Sequence, residues 1–336
     1  MKKFYMFLML LMLSLSLVAC GSSESTSKKE DKKTQEGEKK SKKKKKKKKD
    51  KKSKDENEAD EDETEEETEE ETKEKKKKSA SKGVGDATLQ SYTAVDSEDY
   101  SITVNSIEED DILGFTVNIT IENKSSDQDY SFEADNCSIN GVQTVVSMYS
   151  DVAAGKKANT KITFDDLKAY GIEKYTDIEV HIAVSDASLG GDELGEENIH
   201  IYPYGEENAV KFVYEQKSTD KVLIDNEYLT LIYTGVDKED SWGYALNFYV
   251  VNKTDVEMVL NADNVSIDGY MADPFFIEYV YAGKSDFISM SWFDSTFEQN
   301  NIDENNISNI EFTMDVYDGD DYNKAHFATE TITINP

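Results

Sequence analysis

An all-β fold is predicted for the larger part of this 336-residue chain, and three features predict it. Apolar and polar residues alternate with period two over several runs, as in half-buried antiparallel strands. Asn140-Gly141 and Asp268-Gly269 stand between such runs, and both dipeptides tolerate the positive φ of a tight hairpin turn. The whole pattern then occurs twice. The sequence predicts two tandem β-sandwiches, one short helix in each, behind a disordered charged linker.

The chain opens with Lys2 and Lys3 and a mostly apolar run from Phe4 to Ala19. That run is of signal-peptide length and falls short of the ~20 residues a spanning helix needs. It closes on Leu17-Val18-Ala19-Cys20-Gly21, which resembles a bacterial lipobox. The resemblance implies removal of residues 1–19 and lipidation of Cys20, with palmitate-type acyl chains. One acyl chain binds a membrane marginally and two hold it stably. The expected location is the outer face of the cell membrane, lipid-anchored, facing the cell wall or the extracellular space.

Residues 20–90 form the predicted linker. Lys42 to Lys49 is an unbroken lysine run, Glu56 to Thr72 is an acidic block, and Lys75 to Lys78 is basic again. Such a stretch buries too little apolar surface to offset chain entropy, so disorder is expected. As a flexible coil it would span roughly 40–50 Å. The lysine run at Lys42–Lys49 has two readings, a solvated spacer or a dock for anionic lipid or wall polymer, at ~1 kcal/mol per lysine near a charged surface.

Charge is divided unevenly. Residues 86–336 hold 13 Lys against 50 Asp and Glu, and residues 20–85 hold 23 Lys against 20 acids. Arginine is absent. An acidic domain without guanidinium groups repels phosphate and cannot clamp guanine, which excludes nucleic acid as a partner of that part. Two cysteines, one of them Cys20, do not make a disulfide framework. Three histidines, His181, His200 and His326, are a small stock for metal or base chemistry.

An internal repeat is the most informative feature of the chain. ADNCSING at 134–141 returns as ADNVSIDG at 262–269, and GFTVNITIENKS at 114–125 returns as GYALNFYVVNKT at 243–254. VAAGKKANTKITF at 152–164 matches VYAGKSDFISMSW at 280–292, and TDIEVHIAVSD at 176–186 matches SNIEFTMDVYD at 308–318. Each copy serves as a control for the other. Cys137 faces Val265, so its position asks for a small apolar side chain, not a thiolate. His181 faces Thr313 and His200 faces Thr333, both at outward strand positions, and His326 lies where the copies align poorly. None is selected as a ligand or a base.

Strands are expected at Ile102–Val104, Phe115–Ile121, Val142–Met148, Ala158–Phe164, Ile178–Val184 and Ile199–Tyr202, with counterparts in the second copy. One short helix is expected over Asp165–Ile172, with acids at its start and Gly171 at its stop. Its counterpart places Asn301, the next-best left-handed residue, at the same point. Between the copies, Ala209–Tyr214 reads as an edge strand and Glu215–Lys221 as a short polar connector.

About seven short, aromatic-rich strands in ~110 residues argue for a sandwich. The paired blocks N-K-S/T, A-D-N-x-S-I-N/D-G and A-G-K resemble the immunoglobulin-like domains of exported Gram-positive lipoproteins that carry a Lys/Glu-rich linker behind the lipobox. That resemblance implies an immunoglobulin-like domain over 91–204 and a second over 205–336. It implies no catalytic residue. The cysteine pair of antibody domains is missing, since only Cys137 is present there.

Two sets of candidate site residues remain. Acidic loops at expected strand ends, above all Asp318, Asp320 and Asp321, supply oxygens of the kind calcium takes, although no stretch has EF-hand spacing. Aromatic residues are dense in the second copy, and Trp242, Tyr249, Tyr270 and Trp292 are the candidates for stacking on a glycan or anchoring a protein partner. The two resemblances together imply a cell-surface lipoprotein with two binding or adhesion modules, and no catalysis or cofactor is expected. The alternatives are a structural envelope spacer and a calcium-dependent binding module.

Overall fold

The computed structural model describes residues 87–110, 113–188, 191–241, 243–321, 323 and 326–336. The expectations placed on residues 1–19, on Cys20, on the Lys42–Lys49 run and on Trp242 lie outside the described residues. The described part is all-β, with eighteen strands, one α-helix and three 3₁₀ turns.

The first repeat supplies β1 (Tyr92–Asp96), β2 (Tyr100–Asp110), β3 (Gly114–Asn123), β4 (Tyr130–Ile139), β5 (Val142–Gln143), β6 (Val146–Val152), β7 (Lys157–Phe164), β8 (Ile178–Asp186) and β9 (Glu193–Ile201). The second supplies β10 (Lys221–Asp225), β11 (Leu229–Asp240), β12 (Gly243–Asn252), β13 (Met258–Ile267), β14 (Tyr270–Met271), β15 (Ile277–Val280), β16 (Ser285–Trp292), β17 (Ile310–Asp318) and β18 (Ala328–Ile334). The strand orders match. In the first repeat β1-β2-β3-β7 form one antiparallel layer and β6-β4-β8-β9 the other. In the second, β10-β11-β12-β16 and β15-β13-β17-β18 do the same. Even the crossing between layers recurs. Ser147 pairs with Thr163 in the first copy, and Phe275 pairs with Ser291 in the second.

Each repeat closes on its own core, drawn from both of its layers. Ile102, Val104, Val117, Ile119 and Ile121 meet Phe132, Ile139, Val180, Ile182 and Val184 in the first. Leu229, Leu231, Leu246, Phe248 and Val250 meet Leu260, Phe312, Met314 and Val316 in the second. Apolar side chains on the inner faces of the two layers make this burial possible, and at ~25 cal/mol per Å² it is the main favourable term in folding.

The repeated ADNxSI block proves to be a β-bulge. Ala134 pairs with Ile182 and Asn136 with His181, which leaves Asp135 as the extra residue. The same shift falls between Asp263 and Ser266, where Asn264 takes φ +54°. A bulge restarts the two-residue alternation, so Ala134 and Cys137, three apart, both reach the core. Both residues of Asn140-Gly141 and of Asp268-Gly269 have positive φ, as the hairpin reading requires.

Three expectations change. The strand expected over Val142–Met148 is two strands, because the chain leaves β4 after Gln143 and swings toward β7. Thr144 N donates to Cys137 O and Asp165 N to Val145 O at that bend. The helix expected over Asp165–Ile172 is only a 3₁₀ turn at Lys168–Tyr170. Asp166 Oδ1 accepts from Lys168 N and from the Tyr175 hydroxyl, and such side-chain bonds compete with helix formation. Its counterpart is a true helix, α1 (Asp294–Asn300), and both stops hold, with Gly171 at φ +85° and Asn301 at φ +53°. Ala209–Tyr214 is not an edge strand. It runs extended along the first repeat, with Phe212 N donating to Asn140 O and Val210 N to Thr176 Oγ1. Single backbone and side-chain bonds hold it there, and no ladder forms.

The two repeats meet directly. Val142 of β5 lies parallel to Ser285 of β16, and Ser285 N donates to Gly141 O. Gln143 donates from Nε2 to Tyr279 O and accepts at Oε1 from Tyr281 N. Tyr170 stacks on Phe287 with ring centroids 4.1 Å apart, and Tyr214 stacks on Tyr249 at 4.6 Å.

Candidate functional site

The structure sorts the sequence candidates by the face each side chain takes. Trp292 is withdrawn as a ligand-stacking residue. Even-numbered positions of β16 face inward, Trp292 is 1% exposed, and its Nε1 donates to Ala272 O at 2.8 Å. Tyr249 is withdrawn as well. It points outward from β12 but is buried under Phe212, Tyr214 and Phe287 at the contact between repeats. Tyr270 is exposed, as binding would need.

Cys137 is 1% exposed, and so is Val265. Burial pushes its thiol well above the usual cysteine range, with Glu179 adding to the rise. A thiol kept protonated is neither nucleophile nor ligand.

Histidine surroundings were invisible in the sequence. His181 places Nδ1 2.5 Å from Asp135 Oδ1 and Nε2 3.1 Å from Glu196 Oε2. Burial pulls this imidazole down, but the two carboxylates outweigh that and hold it above its ordinary value. His200 Nδ1 lies 2.9 Å from Asp177 Oδ1, and His326 Nδ1 lies 2.5 Å from Asp315 Oδ1. Each of the three is hydrogen-bonded to a carboxylate. Asp135 is the bulge residue, so the extra residue that redirects Cys137 inward also sets a carboxylate beside His181.

The calcium candidates form a turn. Asp318 is buried, its Oδ1 accepts from Asp320 N, and Asp321 N donates to Asp318 O. Among the described residues no group of three or more acids, histidines or cysteines is arranged to hold a metal ion.

Two surfaces remain, and the sequence pattern marks neither as a unit. The first is the excursion from β14 to β15, where Tyr270, Met271, Phe275, Ile277 and Tyr279 are all exposed, Phe275 at 64% and Met271 at 62%. Of these, Tyr270, Phe275 and Tyr279 belong to the dense aromatic stretch of the second copy, and Tyr270 is the one taken from the sequence as a binding candidate.

The second is a cleft of about 340 Å³ between the repeats. Its floor is the outer face of β4, β8 and β9, where Ser138 stands beside Glu179, Asn136 beside His181, and His181 beside Asn198. Its opposite wall is Glu257 with the turn Tyr281, Ala282 and Lys284 from the second repeat. Lys284 Nζ is paired with Glu179 Oε2 across the junction. Burial, with Asp320 nearby, holds the Glu257 carboxyl above its ordinary value. Burial also raises the Tyr281 phenol, helped by Glu257 and Asp135.

No protein-family model matches this chain, and no curated protein matches it. Among solved structures, the YadV chaperone is similar at 9% identity and a TM-score of 0.23, over 71% of this chain and all of that one.

Proposed function

We propose that the chain is a lipid-anchored cell-surface protein that carries two immunoglobulin-like β-sandwich modules, residues 91–204 and 205–336, on a charged tether, and that the modules bind a partner rather than catalyse. The identical strand order of the two repeats supports the module reading. The observation that carries the binding reading is the exposed run Tyr270, Met271, Phe275, Ile277 and Tyr279. Large apolar side chains grouped on a surface mark sites of interaction. The partner is a protein or a glycan, as the sequence already suggested.

A spacer without a ligand is the second reading, favoured by the bonded junction between the repeats. The anchor and the binding are tested apart. Expressed in a Gram-positive host fed an alkyne-tagged fatty acid, the wild-type chain should take up label in the membrane fraction. Cys20→Ala should lose the label and leave the membrane. For binding, the purified 87–336 fragment is applied to protein and glycan arrays beside Phe275→Ala/Ile277→Ala. Signals lost in the double variant support the exposed face, and a wild-type fragment that binds nothing leaves the spacer reading standing.

A further inference from the structure

We infer that the cleft between the repeats binds a neutral, hydroxyl-rich ring, a hexopyranose unit, with residues from both repeats. The inference deepens the binding reading but uses a surface other than the exposed apolar run.

Three observations carry it. First, the cleft's cations are already matched. Lys284 is paired with Glu179, and His181 is held by Asp135 and Glu196. An anionic ligand would find no free positive charge there, and the surrounding domain is strongly acidic. Second, the cleft collects polar groups that no other described residue satisfies. Ser138 is only 3% exposed, points outward from β4 beside the inward Cys137, and its hydroxyl has no hydrogen-bond partner among the described residues. The same holds for the side-chain amides of Asn136 and Asn198, the Tyr281 hydroxyl and the Glu257 carboxyl. These groups are open to the cleft, so an occupant with donors and acceptors of its own can bond to them. Third, the groups are of the right kinds. Hydroxyls and amides both donate and accept, and a carboxylate accepts. Sugar hydroxyls also do both. The Tyr281 ring, which stacks on no other described aromatic residue, offers an apolar face of the sort that packs on the C–H side of a pyranose.

The cleft's volume falls within the range of small-molecule sites, and its position between two packed units is where such sites gather. Most of the floor residues are shared by the second repeat, and what sets this place apart is His181 and the facing wall of Glu257, Tyr281 and Lys284. Asn264, Ser266 and Glu311 occupy the matching places in the second repeat, but Thr313 stands in place of His181.

The test uses the whole 87–336 unit and ligand-observed saturation-transfer NMR. Probes are D-glucose, D-galactose, D-mannose and N-acetyl-D-glucosamine, each also as its methyl glycoside and as a short oligosaccharide, with spermidine and inorganic phosphate as charged comparators. At least one hexose should bind with millimolar or tighter affinity. Tyr281→Ala and Ser138→Val should each weaken it at least tenfold without lowering the melting temperature by more than a few degrees. Binding retained by a methyl glycoside and tightened in the oligosaccharide would identify a glycan chain as the source. Binding of the free sugar alone would identify a soluble saccharide. Phe275→Ala/Ile277→Ala should leave sugar binding unchanged, so failure of the exposed face and failure of the cleft can be told apart. Binding by none of the hexoses, binding of spermidine or phosphate alone, or hexose binding indifferent to both cleft variants would overturn the inference.

Discussion

At the scale of single residues, the second repeat carries a burden that the first does not. Glu278 on β15 stands opposite the core residue Leu260, and Asp286 on β16 opposite the core residue Val250, so both carboxyls share the inward face. Ser150 and Ala158 hold these places in the first repeat. Neither acid has a cationic partner among the described residues. Burial pushes Glu278 up to about 7, and burial together with Glu278 holds Asp286 well above the carboxylate range. Proton counts set the sign. The folded state of a group with a raised pKa binds more protons than the unfolded state, so its stabilisation is present below the unfolded value, near 4.5, and is lost as pH rises toward 7. Glu278→Gln should therefore be more stable than the parent at pH 8 by about 2–3 kcal/mol and little different at pH 4.5. Urea titrations at the two pH values measure this, and equal gaps at both would refute it.

At the scale of elements, the repeated short blocks act as pins. Asn123 and Asn252 end β3 and β12 and are almost wholly buried. Asn123 Nδ2 donates to Gln128 O and Val152 O, and Asn252 Nδ2 donates to Val256 O and Val280 O. Each Oδ1 accepts the backbone N–H two residues on, at Ser125 or Thr254. The adjoining lysine reaches back to the preceding hairpin, Lys124 to Asp96 and Lys253 to Asp225. The A-G-K turn completes the fixture, since Lys156 O and Lys284 O accept from the same asparagines' backbone N–H. Asn252→Ala strands several buried carbonyls and should cost about 3 kcal/mol, seen as a lower urea midpoint. The sequence showed that these blocks recur. What each one bonds to was not legible, because partners such as Val152 O lie 29 residues away or farther, and a local pattern does not name them. Hairpin turns and left-handed helix stops were legible, because positive φ is demanded locally and only Gly, Asn and Asp meet it readily.

At the scale of the whole described unit, the two cores are coupled through the junction. Phe212, Tyr214 and Tyr170 of the first repeat and its adjoining segment cover Tyr249 and Phe287 of the second. The matching first-repeat positions, Thr120 and Asn159, are polar and bond to each other. Aromatic residues thus occur on that face only where a neighbour covers it. Calorimetry of the 87–336 unit should show one cooperative transition, and Tyr249→Ala/Phe287→Ala should split it into two or lower it by several degrees. A double variant that melts like the parent would mean the junction contributes nothing to stability. The same covering explains why a dense aromatic stretch is a poor guide to binding residues here. Side-chain composition signals that large apolar surface is present but not whether it faces a core, a neighbour or water.

The sequence by itself determined the β class, the duplication, the tight turns and the inert role of Cys137, because alternation, turn chemistry and a valine at the matching place are local or self-referential signals. Only the tertiary structure decided that Trp292 and Tyr249 are buried, that Tyr270 belongs to an exposed run, and that Ser138, Tyr281 and Glu257 line one cleft. Those facts depend on which surfaces meet when two repeats pack together, and long-range contact is set by the summed burial of the whole chain rather than by any short stretch of it.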